Sequence, residues 1–167
     1  MRARSSVIAV VAILAGCSNG GIGSGAAVRP EQGVLAVQAR GAAPGAEAQV
    51  QLKVLPGAGP IVTIVSELNY DPTRLTMQRC SIDPTIGAGT AAGKSLHVAE
   101  PTPGVIRTVV EGGLAALPAE SGVLHCAFTV APQAGAGPTA VRVHGEVADT
   151  TFEDRAFSAE GTVVIGN

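Results

Sequence analysis

Residues 48–56 read AQVQLKVLP, in which Val50, Leu52 and Val54 alternate with Gln49, Gln51 and Lys53. Successive side chains of an extended strand point to opposite faces, so this spacing predicts a strand with one buried and one solvated face. Residues 122–130, GVLHCAFTV, read the same way: Leu124, Cys126, Phe128 and Val130 share a face expected to point into a core. Outward from these two segments, period-two stretches recur between Gly- and Pro-rich breaks such as PGAGP, YDP, IDPTIGAG, EPTPG and PQAGAGP. They predict strands over 34–39, 48–55, 61–70, 75–80, 95–100, 105–111, 122–130, 139–152 and 161–165. Nine strands with no convincing helix define an all-β chain built as a sandwich.

Composition agrees. Of 167 residues 46% are apolar, yet three Phe and one Tyr are the only aromatic residues, with Gly at 22 and Pro at 11. A core of small aliphatic side chains joined by Gly/Pro turns is the expectation, with Tyr70 and Phe128 turned inward. A domain of this size buries roughly 70% of its unfolded surface, so no metal is needed for folding and one domain suffices. The formal charge of −2 and the scarcity of rings argue against nucleic acid as a partner.

The N-terminus reads as an address. Arg2 and Arg4 precede an apolar run from Val7 to Leu14, and Leu14-Ala15-Gly16-Cys17 follows directly. The run is too short to span a bilayer and has the order of a signal peptide. Its last four residues resemble a bacterial lipobox, which implies cleavage before Cys17 and lipidation of that cysteine; an ordinary secretory peptide cut slightly later is the alternative. Residues 1–16 are then the signal peptide, 17–33 the lipidated cysteine and a Gly- and Ser-rich tether reaching roughly 20–23 Å, and 34–167 the folded domain. Acyl chains would hold the exported protein in the cell envelope, and Ser18, not Asp, after the cysteine favours the outer membrane. Without Arg2 and Arg4 the chain carries about −4. With Cys17 lipidated, Cys80 and Cys126 remain, and in an oxidising compartment they are expected to form a disulfide.

Several motifs are declined. Residues 88–95, AGTAAGKS, match a relaxed phosphate-binding loop, but the following SLHVAEPTPG alternates like a strand where a helix is required. Relaxed G-x-G-x-x-[GA] matches at Gly21, Gly87 and Gly135 are expected by chance in so Gly-rich a chain. His97, His125 and His144 fall on three different predicted strands without metal-ligand spacing, and no nucleophile elbow is present. No catalytic residue, metal or cofactor is assigned. Asp149, Glu153 and Asp154 could offer oxygen ligands to calcium, although such residues more often cap a turn.

The segment LNYDPTRLTM, with Tyr70-Asp71-Pro72 closing a strand and Leu75 three residues on, resembles the passage between the third and fourth strands of cohesin domains. AAPGAEAQVQLKV, ESGVLHCAFTV, VRVHGEVADTTFEDR and GTVVIG resemble other cohesin strands and fall in the same order, covering residues 33–166. The resemblance implies a nine-stranded jelly-roll sandwich of cohesin-like or immunoglobulin-like type. One sheet would carry strands 9, 1, 2, 7 and 4 and the other 8, 3, 6 and 5, with Cys80 and Cys126 on neighbouring strands. It also implies a docking face on strands 8, 3, 6 and 5, which in cohesins binds dockerins, small calcium-loaded helical pairs. By alternation Thr63, Val65, Glu67, Asn69, His97, Arg107, Glu111, Arg142, His144 and Glu146 would share that face. The expected function is a non-catalytic envelope lipoprotein that binds a protein partner, such as a dockerin-bearing one. The alternatives are a polysaccharide-binding module, disfavoured by the lack of outward rings, and a structural envelope lipoprotein.

Overall fold

A computed structural model describes residues 33–166, so Cys17, its expected lipidation and nearly all of the tether lie outside the described residues. Nine strands follow one another: β1 (Leu35–Arg40), β2 (Glu47–Val54), β3 (Ile61–Tyr70), β4 (Leu75–Ile82), β5 (Lys94–Thr102), β6 (Val105–Gly112), β7 (Gly122–Val130), β8 (Gly137–Asp149) and β9 (Asp154–Ile165). They form two antiparallel sheets in the orders β1-β2-β7-β4 and β5-β6-β3-β8-β9. No helix occurs among the described residues.

The alternation that predicts the strands also places the core between the sheets. Val50, Leu52 and Val54 of β2, Leu124, Phe128 and Val130 of β7, and Ile64 and Leu68 of β3 are all buried. Phe128 and Tyr70 meet edge to face, with ring centroids 5.0 Å apart, in a core whose only other ring among the described residues is Phe157. Cys80 and Cys126 stand directly opposite each other on β4 and β7 and form the expected disulfide.

Tight turns are set by a recurring Asp-x-Thr pattern. Asp71, Asp83 and Asp149 each accept hydrogen bonds on Oδ1 from the backbone amide and hydroxyl of the threonine two residues on. An Asp side chain that bonds the backbone ahead of it replaces a ladder bond where the strand must stop. Because these bonds favour the carboxylate, the pKa values of Asp71 and Asp149 are held below the ordinary Asp range. In Asp149 the group is a turn cap, and Oδ1 also accepts from the Glu153 amide. Asp149 thus takes the turn-cap role that such residues more often have, and among the described residues no three acidic, His or Cys side chains converge as metal ligands.

Two expectations are corrected at the C-terminus. β8 stops at Asp149 instead of running to 152, and β9 starts at Asp154, seven residues earlier than the alternation suggested. β9 pairs with β8 over its full length, from Ala148 opposite Asp154 to Gly137 opposite Ile165, and so extends the β8 sheet instead of the β1 sheet. Its far end still closes the seam, since Ala42 bridges Ile165 in parallel and the Gly166 amide donates to the Ala42 carbonyl at 3.2 Å. Gly161 permits the approach: a Cβ there would lie 2.4 Å from Val37 Cγ1. Covering β1 in this way removes an open strand edge.

Residues 87–93 form turns and not the mouth of a helix. Lys94, the lysine of the declined phosphate-loop match, opens β5 with 1% exposure, and its ammonium donates to the Gly113 carbonyl. Burial lowers its pKa, and no phosphate could reach it.

A mixed-charge concave sheet face as the candidate functional site

The outer face of the β5-β6-β3-β8-β9 sheet is laid out in cross-strand rows. Glu67 on β3 stands between Arg107 on β6 and His144 on β8, and the row continues to Ser158 on β9. One step along, Val65 stands between Val109 and Glu146, and the row runs from His97 on β5 to Ala156 on β9. Asn69 lies beside Arg142, which faces Glu160, and Thr63 pairs with Ala148 beyond a bulge. The ten residues that alternation assigns to this face, Glu111 included, therefore lie on one surface.

Glu67 is the hub. Its Oε2 accepts from Arg107 Nε at 3.0 Å, its Oε1 accepts from Asn69 Nδ2 at 3.3 Å, and His144 Nε2 lies 3.7 Å from Oε1. The Arg107 hydrogen bond leads the causes that hold the Glu67 pKa below the ordinary Glu range. Arg142 donates to Glu160 at 2.7 Å and His97 lies 3.2 Å from Glu111. These exposed pairs each contribute little to stability, on the order of 0–1 kcal/mol, so their arrangement is better explained as surface chemistry than as structural cement. The Glu146 carboxylate makes no hydrogen bond or ion pair among the described residues.

Within this frame the face is concave. A depression of about 560 Å³ spans β6, β3, β8 and β9, and its lining includes Val65, which is 49% exposed, with Val109, Arg107, His144, Glu146 and Ala156. Gly145 lets β8 lie close to β3 beneath it: an added Cβ would fall 2.0 Å from the Val65 carbonyl oxygen. Under the floor, the Ser66 and Thr108 hydroxyls bond each other at 2.7 Å in the core, which satisfies both buried polar groups. The result is an exposed apolar centre ringed by separated charges of both signs, the layout of a protein-docking surface with an apolar core and polar rim. It presents no outward aromatic ring: Phe157, the nearest, is buried, and Tyr70 points inward.

The sequence reading left out the β9 contribution, Ala156, Ser158 and Glu160, along with Val109. Residues 154–160, DRAFSAE, are small or charged residues with weak strand preference apart from Phe157, which alone marks the buried phase. The opposite sheet bears a separate polar pairing. Asp83 Oδ2 lies 2.8 Å from His125 Nε2, and Gln51 Nε2 lies 3.4 Å from the same ring nitrogen. Burial alone would raise the Asp83 pKa, but bonds from the Thr85 side chain, His125 and the Thr85 amide outweigh it and the value falls. His125 is thus tied to a turn carboxylate and does not join His97 and His144.

No family model matches the chain, and no curated protein matches it. Solved structures do, cohesin modules among them. A cohesin from Clostridium acetobutylicum, solved in solution, superposes with a TM-score of 0.65 at 19% identity, covering 80% of this chain and 91% of that one. The sixth cohesin of scaffoldin B from Acetivibrio cellulolyticus, crystallised with a dockerin, gives a TM-score of 0.65 at 15% identity, covering 79% and 99%. A non-cellulosomal cohesin from Archaeoglobus fulgidus gives 0.64 at 14% identity, covering 80% and 91%. The chain has the cohesin fold, as the order of its strand segments suggested.

Proposed function

We propose that the chain is a non-catalytic docking module, held in the cell envelope by a lipidated Cys17, whose β5-β6-β3-β8-β9 face binds a protein partner of dockerin type. The observation that carries this reading is the apolar depression at Val65, ringed by Glu67, Arg107, His144 and Glu146, on a cohesin fold. The lipobox-like LAGC sequence supports the anchor, and the similar scaffoldin cohesin was crystallised with a dockerin. An anchored single module would hold one secreted partner at a time.

Binding of purified dockerin modules, and of the organism's own secreted proteins, to the full chain by calorimetry and pull-down tests the proposal, with and without a calcium chelator. A Val65→Asp/Arg107→Glu variant is expected to weaken binding at least tenfold while leaving the thermal midpoint within a few degrees. Equal capture by this variant and the parent, or capture of nothing by either, overturns it. Metabolic labelling with palmitate, lost in Cys17→Ser, tests the anchor separately.

A further inference from the structure

The end of the sandwich where the described chain begins also carries its two most exposed large apolar side chains. Leu35, at the start of β1, pairs with Val54 at the end of β2, and the Leu55 amide donates to the Val34 carbonyl at 3.0 Å. The start of β3 lies at this end too: Ile61 pairs with Asp149, where β8 stops, and its carbonyl accepts from the Leu117 amide of the β6–β7 loop at 2.7 Å. On that loop Leu114 is 71% exposed, and in the β8–β9 turn Phe152 is 69% exposed. β6 and β8 flank β3, so the loops that carry these side chains leave the sheet roughly 10 Å apart.

Phe152 is held outward against its backbone preference. Its φ of 61° is in the left-handed region, which a bulky residue avoids, and the Asp149 cap fixes the turn through the Thr151 and Glu153 amides. A strained residue that keeps a phenyl ring in water is explained when the ring has an apolar partner.

We propose that this end of the sandwich seats on a lipid surface, with Phe152 and Leu114 entering the headgroup region. The occupant is set by where the chain leaves the fold. Residues 18–32 lead from Cys17 to this end, and a Gly-rich chain of about 15 residues has an r.m.s. span of only roughly 20–23 Å. The inference therefore rests on the anchored reading. The exposed acidic groups on these loops, Glu120, Glu153 and Asp154, select a zwitterionic surface over an anionic one. Seated end-on, the strands stand across the membrane plane, so the depression at Val65 opens sideways to a partner.

The chain contains no tryptophan, so Phe152→Trp, Leu114→Trp and Val164→Trp each give a single reporter; Val164, 57% exposed, lies at the opposite end of β9. The full lipidated chain is floated with vesicles of phosphatidylcholine and phosphatidylethanolamine that contain brominated acyl chains. Quenching at least threefold stronger at 152 and 114 than at 164 is expected. Replacing a fifth of the lipid with phosphatidylglycerol is expected to lower quenching at 152. Equal quenching at all three positions, none at 152 in chains that float, or stronger quenching on anionic vesicles overturns the proposal. Failure of the chain to float refutes the anchor instead. The tip is then decided with the exported, unlipidated Cys17→Ser chain at high vesicle concentration. There, Phe152→Ser with Leu114→Ser should lower partition about tenfold, and an unchanged partition overturns the seat.

Discussion

Removing the Cys80–Cys126 bridge by Cys80→Ala with Cys126→Ala is expected to lower the unfolding free energy by about 4 kcal/mol. The two residues are 46 positions apart in sequence, and the chain-entropy relation for a loop of that length gives about 4 kcal/mol at 25 °C. With a urea slope of roughly 1.5–2 kcal/mol per molar, the midpoint should fall by about 2–3 M. The bridge also joins β4, an edge strand paired only with β7, to the centre of its sheet. Two origins of the stabilisation are therefore separable by native-state hydrogen exchange. If the bridge acts on the unfolded chain, slow amides of β2, β7 and β4 lose protection by the same amount. If it only staples an edge, β4 amides alone lose protection and the urea midpoint moves little. A midpoint shift below about 0.5 M at unchanged slope, or loss confined to β4, would refute the unfolded-state account.

Three other outcomes follow from named groups. Lys94→Met should leave stability at pH 7 unchanged or raise it by about 1 kcal/mol, since a buried ammonium with a single carbonyl partner is replaced by an apolar chain of similar length; a loss above 1 kcal/mol in chemical denaturation contradicts this. The lowered folded pKa values of Asp71, Asp83 and Asp149 mean that their contribution is complete above the unfolded value of 3.8 and declines as pH falls through the lower folded values; urea midpoints measured from pH 6 to 3 should fall at the acid end, and less steeply in Asp83→Asn. Gly145→Val should destabilise the fold by more than 2 kcal/mol in urea titration, because its side chain would have to occupy the Val65 carbonyl; a variant of native stability would show that β8 can move away from β3.

The strand order was legible because alternation does two jobs at once. In β3 the phase that buries Ile64, Leu68 and Tyr70 necessarily turns Thr63, Val65, Glu67 and Asn69 outward, so recognising the strand already locates half the face. The same logic placed Arg107, Arg142, His144 and Glu146. It failed where side chains are too small to mark a phase: Ala156, Ser158 and Ala159 could face either way, and β9 was read as starting only at Gly161. The β8–β9 turn was misread for a different reason. The acidic residues at 149–154 suggest a turn cap without fixing where it falls, yet Asp149-Thr150-Thr151 is the third copy of the Asp-x-Thr cap present at Asp71 and Asp83, and comparison of the three ends β8 at its proper place.

The part of the site that alternation could never supply is its depth. A list of outward residues describes a flat, charged lattice, and such lattices are ordinary solvated sheet surfaces. What separates this face is that Val65 and Val109 meet at its centre while Gly145, one residue from His144, draws β8 against β3. Glu67 is already committed to Arg107 and Asn69, so a partner that approached it would have to replace bonds that exist. Glu146, beside Val65 and without an ion pair, has no such bonds to give up. Affinity should therefore come from apolar contact at Val65 and from a partner cation at Glu146, with the Glu67 row setting register. In an alanine scan this ordering requires Val65 and Glu146 to cost more than Glu67, and a scan dominated by Glu67 and Arg107 would reverse it.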